Sequence, residues 1–249
     1  MRYLPTSLLC VFTLSLTAQD DCQGPDFNND GVVGAADIIV FLTYYGNEWP
    51  LAPEFVCGET IAHQDYAYST VQIGDQCWFS ENCRYLPEVS DPSIDSTTEP
   101  HYSVYGYTGT DVTAAQATDN YESYGVLYNW PAVMTAGICP SGWHIPTDEE
   151  FIELTDFLGG ESAAGYAMKS TSGWNSGGNG SNSSGWTGLP GGFRNSGSFV
   201  SNGDYGSWWS ASESAANSWE RVLGYNNDDV GRYGNYLDDG FSARCVRDD

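Results

Sequence analysis

"GICPSGWHIPTDEEFIELTDFLGG", residues 137–160, carries the clearest element boundary in the chain. Thr147 is a hydroxyl residue of the kind that caps helices, and Glu150 follows three positions later. In that pattern each side chain accepts from a backbone N–H at the other position, so two orphan donors are satisfied. Phe151, Leu154 and Leu158 then recur at helical spacing as one apolar face, and Gly159-Gly160 ends the run. The spacing predicts one well-defined helix beginning after Thr147. His144, just before the cap, reads as a packed structural residue.

The surroundings of this helix read differently. "YSTVQIGDQCWFSENCRYLP" (68–87) places Val71, Ile73 and Cys77 near alternation, which predicts a strand and then a turn. "STSGWNSGGNGSNSSGWTGLPGGFRNSGSF" (170–199) has the composition of a flexible linker, but Trp174, Trp186 and Phe193 punctuate it. Aromatic anchors at such intervals predict an ordered loop. No internal repeat is present, which argues against a solenoid or propeller.

The chain has 249 residues, enough for one well-buried domain and a small appendage. Met1-Arg2 followed by the apolar run Leu8–Leu16 reads as a signal peptide over residues 1–19, cleaved near Ala18 or Gln19. The run is too short to span a bilayer, and no other stretch is long and apolar enough, so membrane insertion is not expected. Removing Cys10 with the signal leaves Cys22, Cys57, Cys77, Cys83, Cys139 and Cys245. An even count in an exported chain implies three disulfides. The net charge of −25, from 33 acidic and 8 basic residues, excludes a nucleic-acid or anionic-lipid partner and favours divalent cations.

Residues 20–57 form a separate small unit in this reading. "DFNNDGVVGAAD" (26–37) offers Asp26, Asn28 and Asp30 at loop positions one, three and five. Gly31 supplies the sharp turn, Val32 a backbone carbonyl at position seven, and Asp37 closes the loop at position twelve. Calcium takes six to eight hard oxygen ligands, and this spacing provides them, so calcium is the expected cofactor. Ile38, Phe41, Leu42 and Tyr45 then recur at helical spacing, and Gly46, Pro50 and Pro53 end the helix. Because Cys22 and Cys57 flank the unit, they are expected to pair. The loop and helix resemble one half of a type I dockerin, in which Asp occupies the twelfth position; no second half is present.

Residues 58–249 resemble the Fibrobacter succinogenes major paralogous domain. The resemblance rests on "VQIGDQCWFSENCRYLP", on "YGVLYNWPAV" with "GICPSGWHIPTDEEFIEL", and on "WWSASE" followed by "GFSARCVRD", all in the family's order. It implies an α+β, C-type-lectin-like domain, rich in loops, whose first and last strands meet. Cys139 before the main helix and Cys245 on the last strand would then come together. Cys77 and Cys83 stand where the family more often has apolar residues, which implies an added local disulfide between them.

In lectin-like folds the loops before the last strand carry ligands. Here that segment includes "GYNNDDVGRYGNY" (224–236), which follows neither a helical nor a strand period and reads as a loop. Aromatic side chains give contact area at low entropic cost, and Asn, Asp and Gly give adaptable hydrogen bonds. The candidate contacts are Tyr225, Asn226, Asn227, Asp229, Arg232, Tyr233, Asn235 and Tyr236, while Trp208, Trp209 and Trp219 read as core. Catalysis is not expected. His63, His101 and His144 are too scattered for a metal site, and "TEPHY" (98–102) has His101 where calcium-dependent lectins need an amide. Reactive-cysteine chemistry of the formylglycine-generating kind is closed off if every cysteine is bridged. The expected product is a secreted or cell-surface bacterial binding module for a glycan or an extracellular protein. The alternative is a subunit of a surface assembly or filament using the same aromatics for self-association, and the least favoured is a component of polysaccharide breakdown.

Overall fold

The computed structural model of the protein describes residues 34–44 and 55–248. The chain divides at Phe55/Val56 into two compact units. In the first, the described part is helix α1 (Ala35–Tyr44), which includes Asp37 in its first turn. Asp26, Asn28, Asp30 and Val32 lie outside the described residues, as does Cys22. Among the described residues no helix is long and apolar enough to cross a membrane.

The second unit is mixed α+β. It opens with β1 (Thr60–His63), β2 (Tyr66–Ile73) and β3 (Gln76–Phe79), then β4 (Tyr102–Ser103), α2 (Val112–Gln116), α3 (Asp119–Tyr124), β5 (Leu127–Tyr128), α4 (Trp130–Val133) and β6 (Trp143–His144). The main helix α5 (Asp148–Phe157) and a short α6 (Ala164–Met168) follow. The chain ends with β7 (Phe193–Asn195), β8 (Ser198–Val200), β9 (Tyr205–Ser214), β10 (Asn217–Gly224), β11 (Val230–Asn235) and β12 (Val246–Arg247). One sheet has the order β1-β2-β3-β12-β6, so the last strand is inserted between two early ones. A second is the meander β11-β10-β9.

Helix α5 forms as its sequence dictates. The Thr147 hydroxyl accepts from the Glu150 N–H at 3.2 Å, and the Glu150 carboxylate accepts from the Thr147 N–H at 2.7 Å. Phe151 and Leu154 are fully buried in a core built from Trp78, Trp186, Trp208, Met168, Leu223 and Val246. Trp174 and Trp186 are buried as well, so the glycine- and serine-rich stretch is pinned into the core by its tryptophans. Burying one such aromatic is worth on the order of 2–3 kcal/mol, enough to order the polar residues around it.

The cysteine pairing differs from expectation. Cys139 joins Cys245 across 106 residues, as the resemblance implies. Cys57, however, joins Cys77, in place of the expected Cys22–Cys57 and Cys77–Cys83 pairs. Two successive hairpins explain this. The chain before β1 is held against β2 by the Gly58 N–H donating to Thr70 Oγ1 at 2.9 Å. β2 in turn sets Gln72 opposite Cys77, which brings the Cys57 and Cys77 Cα atoms to 5.8 Å. Cys83 is drawn the other way. Its N–H donates to the Ala243 carbonyl and its carbonyl accepts from Val126, so it enters the interior as a free thiol. The close approach requires Gly125: a Cβ there would lie 2.6 Å from the Cys83 carbonyl, and its φ is +74°.

His144 ties α5 to the C-terminus. Its Nε2 meets Glu150 Oε1 at 2.8 Å and its Nδ1 meets Asp248 Oδ1 at 2.6 Å. The hydrogen bond to Glu150 leads the shift; burial opposes it and Asp248 adds to it, and the pKa is pushed up to about 9. A raised histidine pKa contributes stability fully below its unfolded value of about 6.5 and loses it as pH rises through about 9. Urea midpoints measured from pH 6 to pH 10 are therefore expected to fall across that window, and His144→Gln to flatten that fall. Cys77→Ser is expected to lower stability by about 3 kcal/mol, as release of a 20-residue loop implies. Peptide mapping without reductant is expected to recover Cys57 joined to Cys77.

Candidate functional site

The segment 230–235 is a strand, which corrects its reading as a loop. β11 pairs with β10 along its whole length, from Leu223↔Val230 to Ser218↔Asn235. Alternation divides the meander into two faces. One face carries Trp208, Arg221, Leu223 and Arg232 toward α5. The other carries Tyr205, Ser207, Glu220, Val222, Tyr233 and Asn235, and it opens on a cleft of about 350 Å³.

The inner face is held by one carboxylate. Arg221 and Arg232 sit directly opposite each other in the ladder, a repulsive placement on its own. Asp148, at the start of α5, accepts from Arg232 Nε at 2.9 Å and from its second nitrogen at 2.6 Å, and pairs with Arg221 at 2.7 Å. Burial raises the Asp148 pKa, but the Arg232 hydrogen bonds and the Arg221 charge outweigh it and hold the carboxyl below its ordinary value. Arg232 also lies 3.5 Å over the Trp219 ring. These contacts fasten the hairpin to the start of α5.

The eight candidate contacts therefore separate. Asn226, Asn227 and Asp229 are exposed in the turn between β10 and β11, and Tyr225 packs its ring edge-on against Tyr205. That turn is anchored by Lys169, whose buried Nζ donates to the Asn227 carbonyl at 2.7 Å and the Gly224 carbonyl at 3.3 Å and pairs with Asp228 at 3.2 Å. At the far end, Asn235 lines the cleft, Tyr233 shares its face, and Tyr236 is 66% exposed just beyond the strand. Along the chain, Tyr233 and Tyr236 lie four and seven residues beyond Asp229, roughly 13 and 23 Å at strand spacing.

Two carboxyls missed in the sequence lie at the heart of the cleft. Glu220 is 3% exposed; Asn235 Nδ2 donates to its Oε2 at 2.5 Å. Burial pushes its pKa up to about 7, against the pull of hydrogen bonds from Ser207 and Asn235. Asp239 receives Asn195 Nδ2 at 2.7 Å, and burial together with the neighbouring Asp238 raises it to about 6. Backbone pairing fixes its position: Arg194 bridges to Gly240, and Ser242 bridges to Trp208 on β9. Tyr205, Phe193 and Phe241 form apolar walls. The signal for Glu220 was present in "NSWERVLG". There, apolar residues on both alternating faces announce a strand covered on both sides, so its carboxylate must be buried. Two larger surface clefts, of about 540 and 490 Å³, lie along α5 and around Pro87–Tyr102, but neither contains a buried carboxyl.

Each of these carboxyls takes up a proton in the near-neutral range, so each can accept or donate a hydrogen bond. The model of the Fibrobacter succinogenes major domain matches residues 71–247, which include the whole meander, the cleft and the main helix. The chain belongs to the Fibrobacter succinogenes major domain family. No curated protein and no solved structure gives a significant match. For this family member the cleft is the place where buried ionisable groups, amides and aromatic walls converge.

A carboxyl whose pKa is raised in the folded state favours folding below its unfolded value and loses that contribution as pH rises through the folded one. For Glu220 the window runs from about 4.5 to about 7. Glu220→Gln is expected to stabilise the protein at pH 8 relative to the parent, by up to about 3 kcal/mol, and to give no gain at pH 4. Thermal or urea unfolding at the two pH values measures the difference.

Proposed function

We propose that this chain is an exported, non-catalytic binding module whose ligand is a glycan held at the outer face of the β9–β10–β11 meander. The observation that carries the reading is the combination in one cleft of the Glu220 and Asp239 carboxyls, the Asn195 and Asn235 amides and the Tyr205 and Phe193 rings. Sugars present C–H faces that stack on aromatic rings and hydroxyls that both donate and accept. A carboxyl poised near neutrality matches both roles, and with each Asn Nδ2 bound to a carboxylate, each Oδ1 is left to accept. Tyr233, exposed on the same face, extends the surface at low entropic cost.

The C-type-lectin-like architecture belongs to the same proposal. It is supported by the last strand lying beside β3 in one sheet and by the Cys139–Cys245 bridge joining the loop before β6 to the residue just ahead of the last strand. Calcium bound by Asp26, Asn28, Asp30, Val32 and Asp37, as in a dockerin half, would stabilise the N-terminal unit. The ligand pattern and the helix that follows it support this. Export to the exterior or the cell surface of a bacterium is supported by the leader-like start and the disulfides.

A glycan-array screen of the mature protein, with calcium and with chelator, tests the assignment. Binding is expected, and Tyr233→Ala with Glu220→Gln is expected to weaken it tenfold or more, about 1.4 kcal/mol. Asn226→Ala with Asn227→Ala, at the other end of the hairpin, is expected to leave it unchanged. Loss in the turn variant with retention in the cleft variant would overturn the placement. Absence of any binding, together with oligomers at micromolar concentration in sedimentation, would favour the surface-assembly reading instead.

A further inference from the structure

We propose that Cys83, Cys139 and Cys245 form an internal disulfide-exchange centre, in which the buried Cys83 thiol displaces Cys139 from Cys245. The free Cys83 Sγ lies 3.5 Å from Cys245 Sγ, which is already bonded to Cys139. A new bond needs a separation of about 2.0 Å, so the sulfurs must close by roughly 1.5 Å. No other part of the fold places a thiol against a bridge in this way among the described residues.

The step balances without an external oxidant. The Cys83 thiolate attacks Cys245 Sγ, the Cys139–Cys245 bond breaks, and Cys139 leaves as a thiolate that takes up the proton lost by Cys83. One disulfide and one thiol are present before and after. The location of the thiol changes: Cys83 is fully buried, whereas Cys139 is half-buried in the loop ahead of β6. Exchange therefore moves a reactive sulfur from the core to a position that solvent can reach.

A second observation supports the attacking thiolate. The Arg244 guanidinium is fully buried beside Cys83, and its hydrogen bonds go to Asn82 Oδ1 and the carbonyls of Trp186 and Thr187, with no carboxylate among them. It stacks 3.8 Å over the Trp186 ring. The other titratable groups facing Cys83 are the phenols of Tyr68 on β2 and Tyr128 on β5, both buried and held protonated by desolvation. Arg244 is thus the charge that Cys83 meets, and it favours the thiolate. Burial is the larger effect and lifts the thiol to about 12, which keeps the centre latent near neutrality.

The test uses the natural chain under native conditions. The protein is incubated without reductant in iodoacetamide from pH 7 to pH 9, with circular dichroism confirming that it stays folded. Digestion at acid pH then freezes the bridges for mass spectrometry. The expected product carries the alkyl group on Cys139 and a Cys83–Cys245 link. Its rate of appearance should rise roughly 100-fold between pH 7 and pH 9, as the thiolate fraction grows tenfold per pH unit. Cys83→Ala is expected to abolish Cys139 labelling. Alkylation of Cys83 with Cys139–Cys245 intact, or no Cys139 labelling at pH 9, would overturn the proposal. Because the product is read in the natural chain, the result stands even if the variant folds poorly.

Discussion

Between helix α5 and the C-terminal meander, the Asp148 carboxylate receives two guanidinium groups that would otherwise face each other across adjacent strands. That charge offsets their repulsion where the meander packs its apolar residues on the helix. Asp148 is also the first residue of α5, where the exposed N–H groups favour a negative charge. Removing one partner of a buried charge network costs about 3–5 kcal/mol, since the remaining charges are left without compensation. The orientation of the meander follows from this contact. With Arg221 and Arg232 turned inward, strand alternation turns Glu220, Tyr233 and Asn235 outward to line or extend the cleft.

The same economy recurs across the molecule. With 8 basic residues against 33 acidic ones, the chain buries four of its cations. Lys169, Arg194, Arg221 and Arg244 are each under 4% exposed; Lys169, Arg194 and Arg244 bind backbone carbonyls of turns and loops, and Arg221 binds the Asp148 carbonyl at the start of α5. Lys169 holds the β10–β11 turn, Arg194 gathers the carbonyls of Pro92, Ile94 and Asp238, and Arg244 holds those of Trp186 and Thr187. A loop-rich fold has many such carbonyls, and a buried carbonyl without a donor is costly. Apart from Asp148, Glu220 and Asp239, the carboxylates among the described residues lie at or near the surface.

Helix α5 was readable because its cap, its apolar face and its terminating glycines are all local. Trp174 and Trp186 were readable as anchors because a buried tryptophan dominates its neighbourhood. Strand β11 was not, because its inward positions are Val230, Arg232 and Gly234. Packing on Trp219 and the charge of Asp148 take the place of the aliphatic side chains that alternation relies on. Cys57–Cys77 was hidden for a related reason: the pairing depends on the register of two hairpins, and register is a property of the ladder rather than of cysteine spacing. Asp239 carries no local signal in the sequence. Its burial comes from bridges made by Arg194 and Trp208, more than thirty residues upstream.

The seven residues from Asp239 to Cys245 connect these features. At one end Asp239 enters the cleft, Ser242 bridges to β9, and Arg244 lies beneath Trp186 and Trp208; at the other end Cys245 carries the disulfide. In either arrangement of the three-cysteine centre Cys245 remains bonded, to Cys139 or to Cys83. The segment that positions Asp239 is therefore tethered in both states, and only the loop around Cys139 is released. A change in bridge partner would alter the edge of the fold near β6 and leave the cleft geometry in place. The proposed ligand cleft and the proposed thiol exchange thus share a segment without sharing a consequence.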